Sequence, residues 1–449
     1  MRVLLVQAFT ALDMELVYPL GLCYLASHLP SEHEVEIFDL NLHRARPFEA
    51  LGDCLVRFRP DVVGISLRNM KVASPGKSSD DFEPQRRTVE VVRRVVPRAV
   101  VVGGGTAFSL YADAMMQRLP LDLGVWGEAE ERLPRLLQNL STPERVPGVY
   151  YRMGKEVRYS GTPPAVDFAA LLPPRRDLVD CAPYARSSNV SIGVQAKRGC
   201  ALQCIHCSDT FLVGHKVRQR AAADVVDEIE SLVVDNGVEQ LFFCDQIFNI
   251  PVRHAIEICR EIVDRRIAVR WSAWFNEHRN TLPDELMVWL RRAGCDRLSF
   301  SPDHVDDRML KTLDKNFRRE DLDYTIEIAR RHGMDVEYSF FLNAPGEDAR
   351  SLLSILSFLI RARLELGSHL RTFTLLMMQP IRIYPHTRLA EMARDEGLVS
   401  ADDDLIEGRY WNPGALRLAV DGIQRGARGM HAARQWWRGE GASDRLGPG

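Results

Sequence analysis

The amino-acid sequence predicts an α/β protein made of two successive parallel-sheet units, a doubly wound sheet followed by an open barrel of six βα units. Three observations carry this. Short apolar strands alternate with helical periodicity from residue 2 to residue 126, the alternation restarts at 189 and runs to 379, and a Pro-rich stretch separates the two series. At 449 residues the chain exceeds one ordinary hydrophobic core, so more than one domain is required.

The first series opens with Arg2-Val-Leu-Leu-Val-Gln7, an apolar run buried on both faces. It is too short for the core of a signal peptide, and no apolar run in the chain reaches the length of a membrane span. Helical periodicity over 20–29 precedes a strand at Glu34–Leu40, and a helix near 47–59 precedes Asp61–Leu67. A helix over 85–96 leads to Ala99-Val-Val-Val-Gly103-Gly104-Gly105, and the strand 121–126 closes on Gly127-Glu128. In such a sheet the ligand lies at the carboxyl ends of the strands, where the Gly103–Gly105 triplet lets backbone amides approach it closely. The loop 70–84 is too long for an idle connection and is expected to cover the ligand or the domain seam.

Residues 141–188 read as a connector, with two short strands pairing around Gly154. The second series, 189–395, begins with a strand at 189–195. Strands follow at Gln240–Asp245, Ala268–Phe275, Arg297–Asp303, Val336–Leu342 and Thr372–Gln379, each preceded by an amphipathic helix. Residues 396–449, with Trp411, Trp436 and Trp437, read as a C-terminal helical extension and tail, and Gly439–Gly449 as disordered.

Composition narrows the function classes. Hydrophobic residues make up 46% and charged residues 27%, as in soluble globular proteins. With 58 basic and 61 acidic residues the net charge is −3, which gives no polybasic footprint for nucleic acid. Nine cysteines, three of them clustered, suit a reducing cytoplasm and a metal site better than a disulfide framework. Cys23, Cys54, Cys181, Cys244, Cys259 and Cys295 are expected to pack as small hydrophobes.

The chemistry concentrates in Lys197-Arg-Gly-Cys200-Ala-Leu-Gln-Cys204-Ile-His206-Cys207-Ser208. Three thiolates in C-x3-C-x2-C spacing can hold an iron–sulfur cluster and leave one iron open. The same residues can hold zinc with His206 or His215 as a fourth ligand, or pack as buried thiols. Carboxylates that end apolar strands, Asp245 and Asp303, are hard to explain as packing.

The cysteine loop following a strand resembles the radical S-adenosylmethionine (SAM) superfamily, and residues 1–140 resemble the cobalamin-binding domain that precedes many of its barrels. Tyr18-Pro-Leu-Gly21, Ser66-Leu-Arg68-Asn69, Gly103–Gly105 and Gly127-Glu128 carry the second resemblance. It implies a Rossmann-like cobalamin-binding domain and a TIM-like partial (β/α)6 radical SAM barrel. The cofactors implied are a [4Fe-4S] cluster on Cys200, Cys204 and Cys207, SAM, and cobalamin. Ser66, Arg68, Asn69, Gly103, Gly104, Gly105, Gly127 and Glu128 would meet cobalamin. Asp39 and His43 have the wrong spacing for the Asp-x-His-x-x-Gly motif, so no protein histidine is expected on cobalt; Arg68 is the candidate for that face. Asp245, Ser272, Ser301 and Asp303 would meet SAM, and Glu277 is a catalytic candidate able to reach the open iron. Ala344-Pro-Gly-Glu347 and Tyr384-Pro-His-Thr387 match further turns of that barrel.

The resemblance implies a cobalamin-dependent radical SAM C-methyltransferase that moves a methyl group from SAM through methylcobalamin to a carbon of a small-molecule substrate. An electron donor such as flavodoxin or ferredoxin would be its partner, with no nucleic acid and no membrane span. The alternatives are a non-methylating rearrangement, cyclisation or ring contraction on the same cofactors, and, more distantly, a cobalamin- or metal-binding sensor.

Overall fold

The computed structural model describes residues 1–10, 16–68, 82–186, 192–371, 379–422 and 425. Its first unit contains β1 (Arg2–Gln7), α1 (Leu20–His28), β2 (Glu34–Asp39), α2 (Pro47–Phe58), β3 (Val62–Ser66), α3 (Glu83–Val95) and β4 (Val100–Gly104). It continues with α4 (Thr106–Leu110), α5 (Ala112–Arg118), β5 (Leu123–Val125), α6 (Arg132–Gln138), β6 (Val149–Met153) and β7 (Glu156–Tyr159). Sheet order is β2-β1-β3-β4-β5-β6-β7, parallel from β2 to β5 and antiparallel beyond. The hairpin that the sequence assigns to a connector therefore extends this sheet, because the edge of β5 offers unpaired backbone groups that an adjacent strand satisfies. The order reverses between β1 and β3, which places a ligand crevice at their carboxyl ends.

The second unit contains α7 (Ala182–Ala185), β8 (Gly193–Val194), β9 (Lys197–Arg198), α8 (Asp209–Val213), β10 (Arg218–Gln219), α9 (Ala222–Val234), β11 (Gln240–Phe243) and α10 (Val252–Asp264). There follow β12 (Arg270–Phe275), α11 (Asp284–Arg292), β13 (Cys295–Asp303), α12 (Asp307–Thr312), α13 (Arg319–His332), β14 (Asp335–Phe340) and α14 (Ala349–Leu366). Next come β15 (Ile381–Ile383), α15 (Arg388–Asp395) and β16 (Arg409–Trp411). Strands β8, β11, β12, β13 and β14 form one parallel sheet. The sixth expected strand lies outside the described residues apart from its last residue, Gln379, which bridges in parallel to Phe341. The tail with Trp436 and Trp437 and most of the loop 70–84 also fall outside them.

Aromatic rings fill the barrel: Phe243, Phe248, Trp271 and Phe275 meet at centroid distances of 4.7–5.7 Å. Their offset and edge-on contacts add to the burial of large apolar surfaces. A second core crosses the unit boundary, since Val63, Phe108 and Met115 share a cluster with Ile205, Met309, Ile381 and Trp411. The two units are therefore packed on one another, and no helix among the described residues is long and apolar enough to cross a membrane.

Polar fastening complements the apolar core. Glu228 of α9 is buried and accepts from Arg176 (Nε, 3.0 Å) and Arg220 (2.6 Å), so it joins the connector to the start of the barrel. Replacing Glu228 with Ala would leave two arginines buried without their counter-charge, a loss of roughly 3–5 kcal/mol. Urea unfolding of Glu228→Ala should show that drop in stability; an unchanged midpoint would contradict this role.

Candidate functional site

A cavity of about 670 Å³ lies between the carboxyl edge of the first sheet and the cysteine loop of the second. Gln7, Ser66, Arg68, Gly103, Gly104, Gly105, Gly127 and Glu128 line one side of it. His206, Cys207, Ser208, Asp209, Cys244, Gln246 and Tyr384 line the other. Gly105 has φ +92, and a Cβ there would stand 2.8 Å from the Leu67 carbonyl oxygen, so the turn after β4 admits only glycine. The result is a bare backbone shelf suited to a large, flat ligand.

Arg68 projects from the end of β3, and no carboxylate pairs with its guanidinium among the described residues. Burial lowers its pKa, opposed by the nearby Cys244 thiol and Asp39. Asp39 is already spent: its carboxylate accepts from Tyr184 (2.6 Å), Gln7 (2.8 Å) and the amide of Asn41 (2.8 Å). His43 stacks on Phe38 at 4.9 Å, away from the cavity lining. Among the described residues, His28, His33 and His43 are not part of the cavity lining. Asn69 lies outside the described residues.

Glu128 behaves differently from the expectation of a ligand contact. Its two carboxylate oxygens accept from Arg198 (3.1 Å) and Arg218 (2.8 Å), so it bridges the units rather than offering a free oxygen to the cavity. Glu130 joins it on Arg198 at 2.6 Å, and this pairing, working against burial, holds the Glu130 carboxyl below its usual range. Ser109 fixes the adjacent turn by accepting the Gly127 amide at 2.8 Å.

The cysteine loop is held at its ends by backbone bonds: Cys200 to Gly214 (3.1 Å), Ile205 to Leu313 (3.2 Å) and Leu389 to Ile205 (2.9 Å). Gly199, at φ +101, lies where a Cβ would strike the Lys216 carbonyl at 2.2 Å. Cys200, Cys204 and Cys207 are free and partly exposed, whereas Cys23, Cys54, Cys181, Cys259 and Cys295 are buried as packing residues. Burial raises the pKa of all three loop thiols, and within the loop Cys204 adds to the rise at both Cys200 and Cys207. Among the described residues no three His, Cys, Asp or Glu side chains gather around a single-ion site.

Beside Cys204 lies a buried polar group drawn from the ends of β12 and β13, the cysteine loop and the turn after α12. Asp303, at φ +64 after a bulge in β13, accepts from Ser301 Oγ at 2.9 Å and ion-pairs with Lys315. His206 Nε2 stands 3.3 Å from the same carboxylate, and Lys315 donates to the Ser301 carbonyl at 3.0 Å. Burial opposes the Lys315 charge, but Asp303, Cys204 and Glu277 hold its pKa above the usual lysine value. Glu277 is wholly buried, and burial pushes its pKa up to about 8 with Asp303 adding to the rise and Lys315 opposing it. Among the described residues, its Oε1 and the Ser272 hydroxyl have no hydrogen-bond partner.

Asp245 is elsewhere. Its Oδ1 accepts the amides of Ala196 (2.8 Å) and Lys197 (3.1 Å), and burial pushes its pKa up to about 6. It latches β11 to the chain entering the cysteine loop, while its neighbours Cys244 and Gln246 line the cavity. The strand's period of two explains the offset: adjacent side chains face opposite ways. Cys244 is accordingly exposed to the cavity, which corrects the expectation that it packs as a small hydrophobe. Lys315 had no sequence signal, while Asp209 and Gln246 each directly follow a stretch that did, the cysteine motif and the strand-end Asp245, but nothing in their own residue types marked them.

Two family models match the chain, the B12 binding domain over residues 14–137 and the radical SAM superfamily over 194–359. The chain contains a B12-binding domain and a radical SAM domain. It is 25% identical to an uncharacterized methyltransferase of Pyrococcus horikoshii, across 84% of this chain and 78% of that one. It is 24% identical to tryptophan 2-C-methyltransferase of Streptomyces laurentii, covering 82% and 70% of the two chains. Its fold matches that of the radical SAM methyltransferase TsrM from Kitasatospora setae, solved with cobalamin and a [4Fe-4S] cluster bound. That match has a TM-score of 0.74 at 23% identity, over 88% of this chain and 75% of that one.

Replacing any one of Cys200, Cys204 or Cys207 with Ala should abolish most bound iron in anaerobically reconstituted protein, whereas Cys259→Ala should not. Retention of the full iron complement by all three variants would contradict the ligand assignment.

Proposed function

We propose that this protein is a cobalamin-dependent radical SAM C-methyltransferase for a small-molecule substrate, bound at the seam between its two sheets. The single observation that carries the reading is that one cavity joins the glycine shelf and Arg68 to the cysteine loop. When bound, the cluster supplies an electron to SAM and cobalamin supplies a transferable methyl group.

The chain's own residues bind, orient and exclude water. Cys200, Cys204 and Cys207 would hold three corners of the cluster, leaving the fourth for a ligand. Ser66, Arg68 and the Gly103–Gly105 and Gly127 backbone would hold cobalamin, with Arg68 presenting a fixed positive charge where a histidine ligand is missing. Ser272, Ser301 and Asp303 would bind SAM, with Lys315 and His206 keeping Asp303 in place. Glu277, held largely protonated at neutral pH by its burial, would add a neutral donor beside Cys204. Asp245 would position the loop rather than touch a reactant.

In functional terms the chain divides into a cobalamin-binding domain (1–140), a connector (141–188), the barrel (189–395) and a C-terminal extension (396–449). A cytoplasmic location and a flavodoxin- or ferredoxin-like electron donor belong to the same proposal, because free clustered thiols need a reducing compartment.

The test is anaerobic incubation of the reconstituted protein with methyl-labelled SAM and reduced cobalamin. Label should pass to protein-bound corrinoid at about one equivalent per chain, and Arg68→Ala should change the rate of that transfer at unchanged iron content. Full cofactor binding without any label transfer would overturn methyl transfer in favour of a rearrangement or cyclisation on the same cofactors.

A further inference from the structure

Most polar side chains that reach the cavity from the barrel side already have partners. Arg198 holds Glu128 and Glu130, and its Nε donates to Gln195 at 2.9 Å. His206 stands against Asp303. His206 Nδ1 has no partner among the described residues, and neither do the side chains of Asp209 and Gln246.

Asp209, the first residue of α8, lines the cavity, and among the described residues no cation or hydrogen-bond donor reaches its carboxylate. Its neighbours are the thiols of Cys200 and Cys207 and the phenol of Tyr384, none of which carries positive charge. Gln246, just past β11, also lines the cavity, and its Oε1 is covered and without a partner. A covered amide oxygen left unpaired is costly, and a half-buried carboxylate facing the same cavity without a counter-charge adds to that cost, so both groups are matched to something that enters the cavity.

The missing complement has a definite chemistry. A carboxylate needs an N–H donor, and a primary amide needs a donor and an acceptor at once. A ring of carboxamides supplies both, and the rim of cobalamin carries such groups. We propose that Asp209 and Gln246 are the barrel's contacts to the peripheral carboxamides of cobalamin, Asp209 accepting an amide N–H and Gln246 exchanging hydrogen bonds with another. The corrin is thereby held by both units, from the glycine shelf on one side and from the start of α8 and the end of β11 on the other. This assignment rests on cobalamin being the ligand of the cavity.

The experiment is a titration of cluster-loaded protein with hydroxocobalamin and with each cobalamin monocarboxylic acid, in which one carboxamide is replaced by a carboxylate. The wild type should bind at least one of these acids about tenfold more weakly than hydroxocobalamin, because like charges would face each other. Asp209→Asn should erase that discrimination, and Gln246→Ala, which removes no thiol, should weaken hydroxocobalamin about tenfold at unchanged iron content. Unaltered discrimination in Asp209→Asn together with wild-type affinity in Gln246→Ala would overturn the proposal. So would an Asp209→Asn protein that keeps its cobalamin affinity but loses SAM in equilibrium dialysis, since the carboxylate would then serve an ammonium. A wild type that binds no cobalamin would instead overturn the cofactor assignment on which the proposal stands.

Discussion

The buried ion-pair lattice on Arg198 is the interaction on which the site depends. Arg198 pairs with Glu128 and Glu130 from the first unit, lies 4.5 Å over the Phe168 ring and 5.5 Å over Tyr24, and is two residues from Cys200. A guanidinium taken out of water needs hydrogen-bond acceptors to be tolerated, and here two carboxylates and the Gln195 side-chain oxygen accept from it while two rings cover its face. The consequence is positional. The strand that carries Arg198 cannot drift without unpairing a buried charge, so the cysteine loop is held against the open edge of the first sheet. Apolar packing of Trp126 on Phe211, at 5.5 Å, seals the same seam without directional demands.

The barrel interior uses charge differently. Two carboxylates, Asp303 and Glu277, share one lysine, so the group as a whole cannot be neutral unless one carboxyl keeps its proton. Asp303 takes the lysine and the serine hydroxyl, and Glu277 is left in the drier position. Environment, rather than residue type, separates the roles of two chemically similar side chains. Fixed dipoles and a paired lysine beside Cys204 form a preorganised polar wall that water cannot provide once the cavity is filled.

Legibility in the sequence followed the strength of the local signal. Parallel strands buried on both faces read as apolar runs, and the Cys200–Cys207 spacing is a local constraint on ligand geometry, so both were readable without tertiary information. Asp245 shows where reading stops. It was correctly placed at a strand end, but which way a strand-end side chain faces depends on twist and on what the neighbouring backbone offers, and the amides of Ala196 and Lys197 claimed it. Glu128 likewise sits at the carboxyl edge as expected, yet Arg198 and Arg218, 70 and 90 residues away, consume its oxygens.

By itself the sequence determined the two α/β units, the close spacing of Cys200, Cys204 and Cys207, and the glycine shelf after β4. These follow from periodicity, spacing and residue chemistry within a few turns of chain. Only the tertiary structure decided that β6 and β7 complete the first sheet, that Gln246 rather than Asp245 lines the cavity, and that Lys315 stands on Asp303. Those facts arise from desolvation and pairing between groups far apart in sequence, where the cost of burying a charge selects its partner.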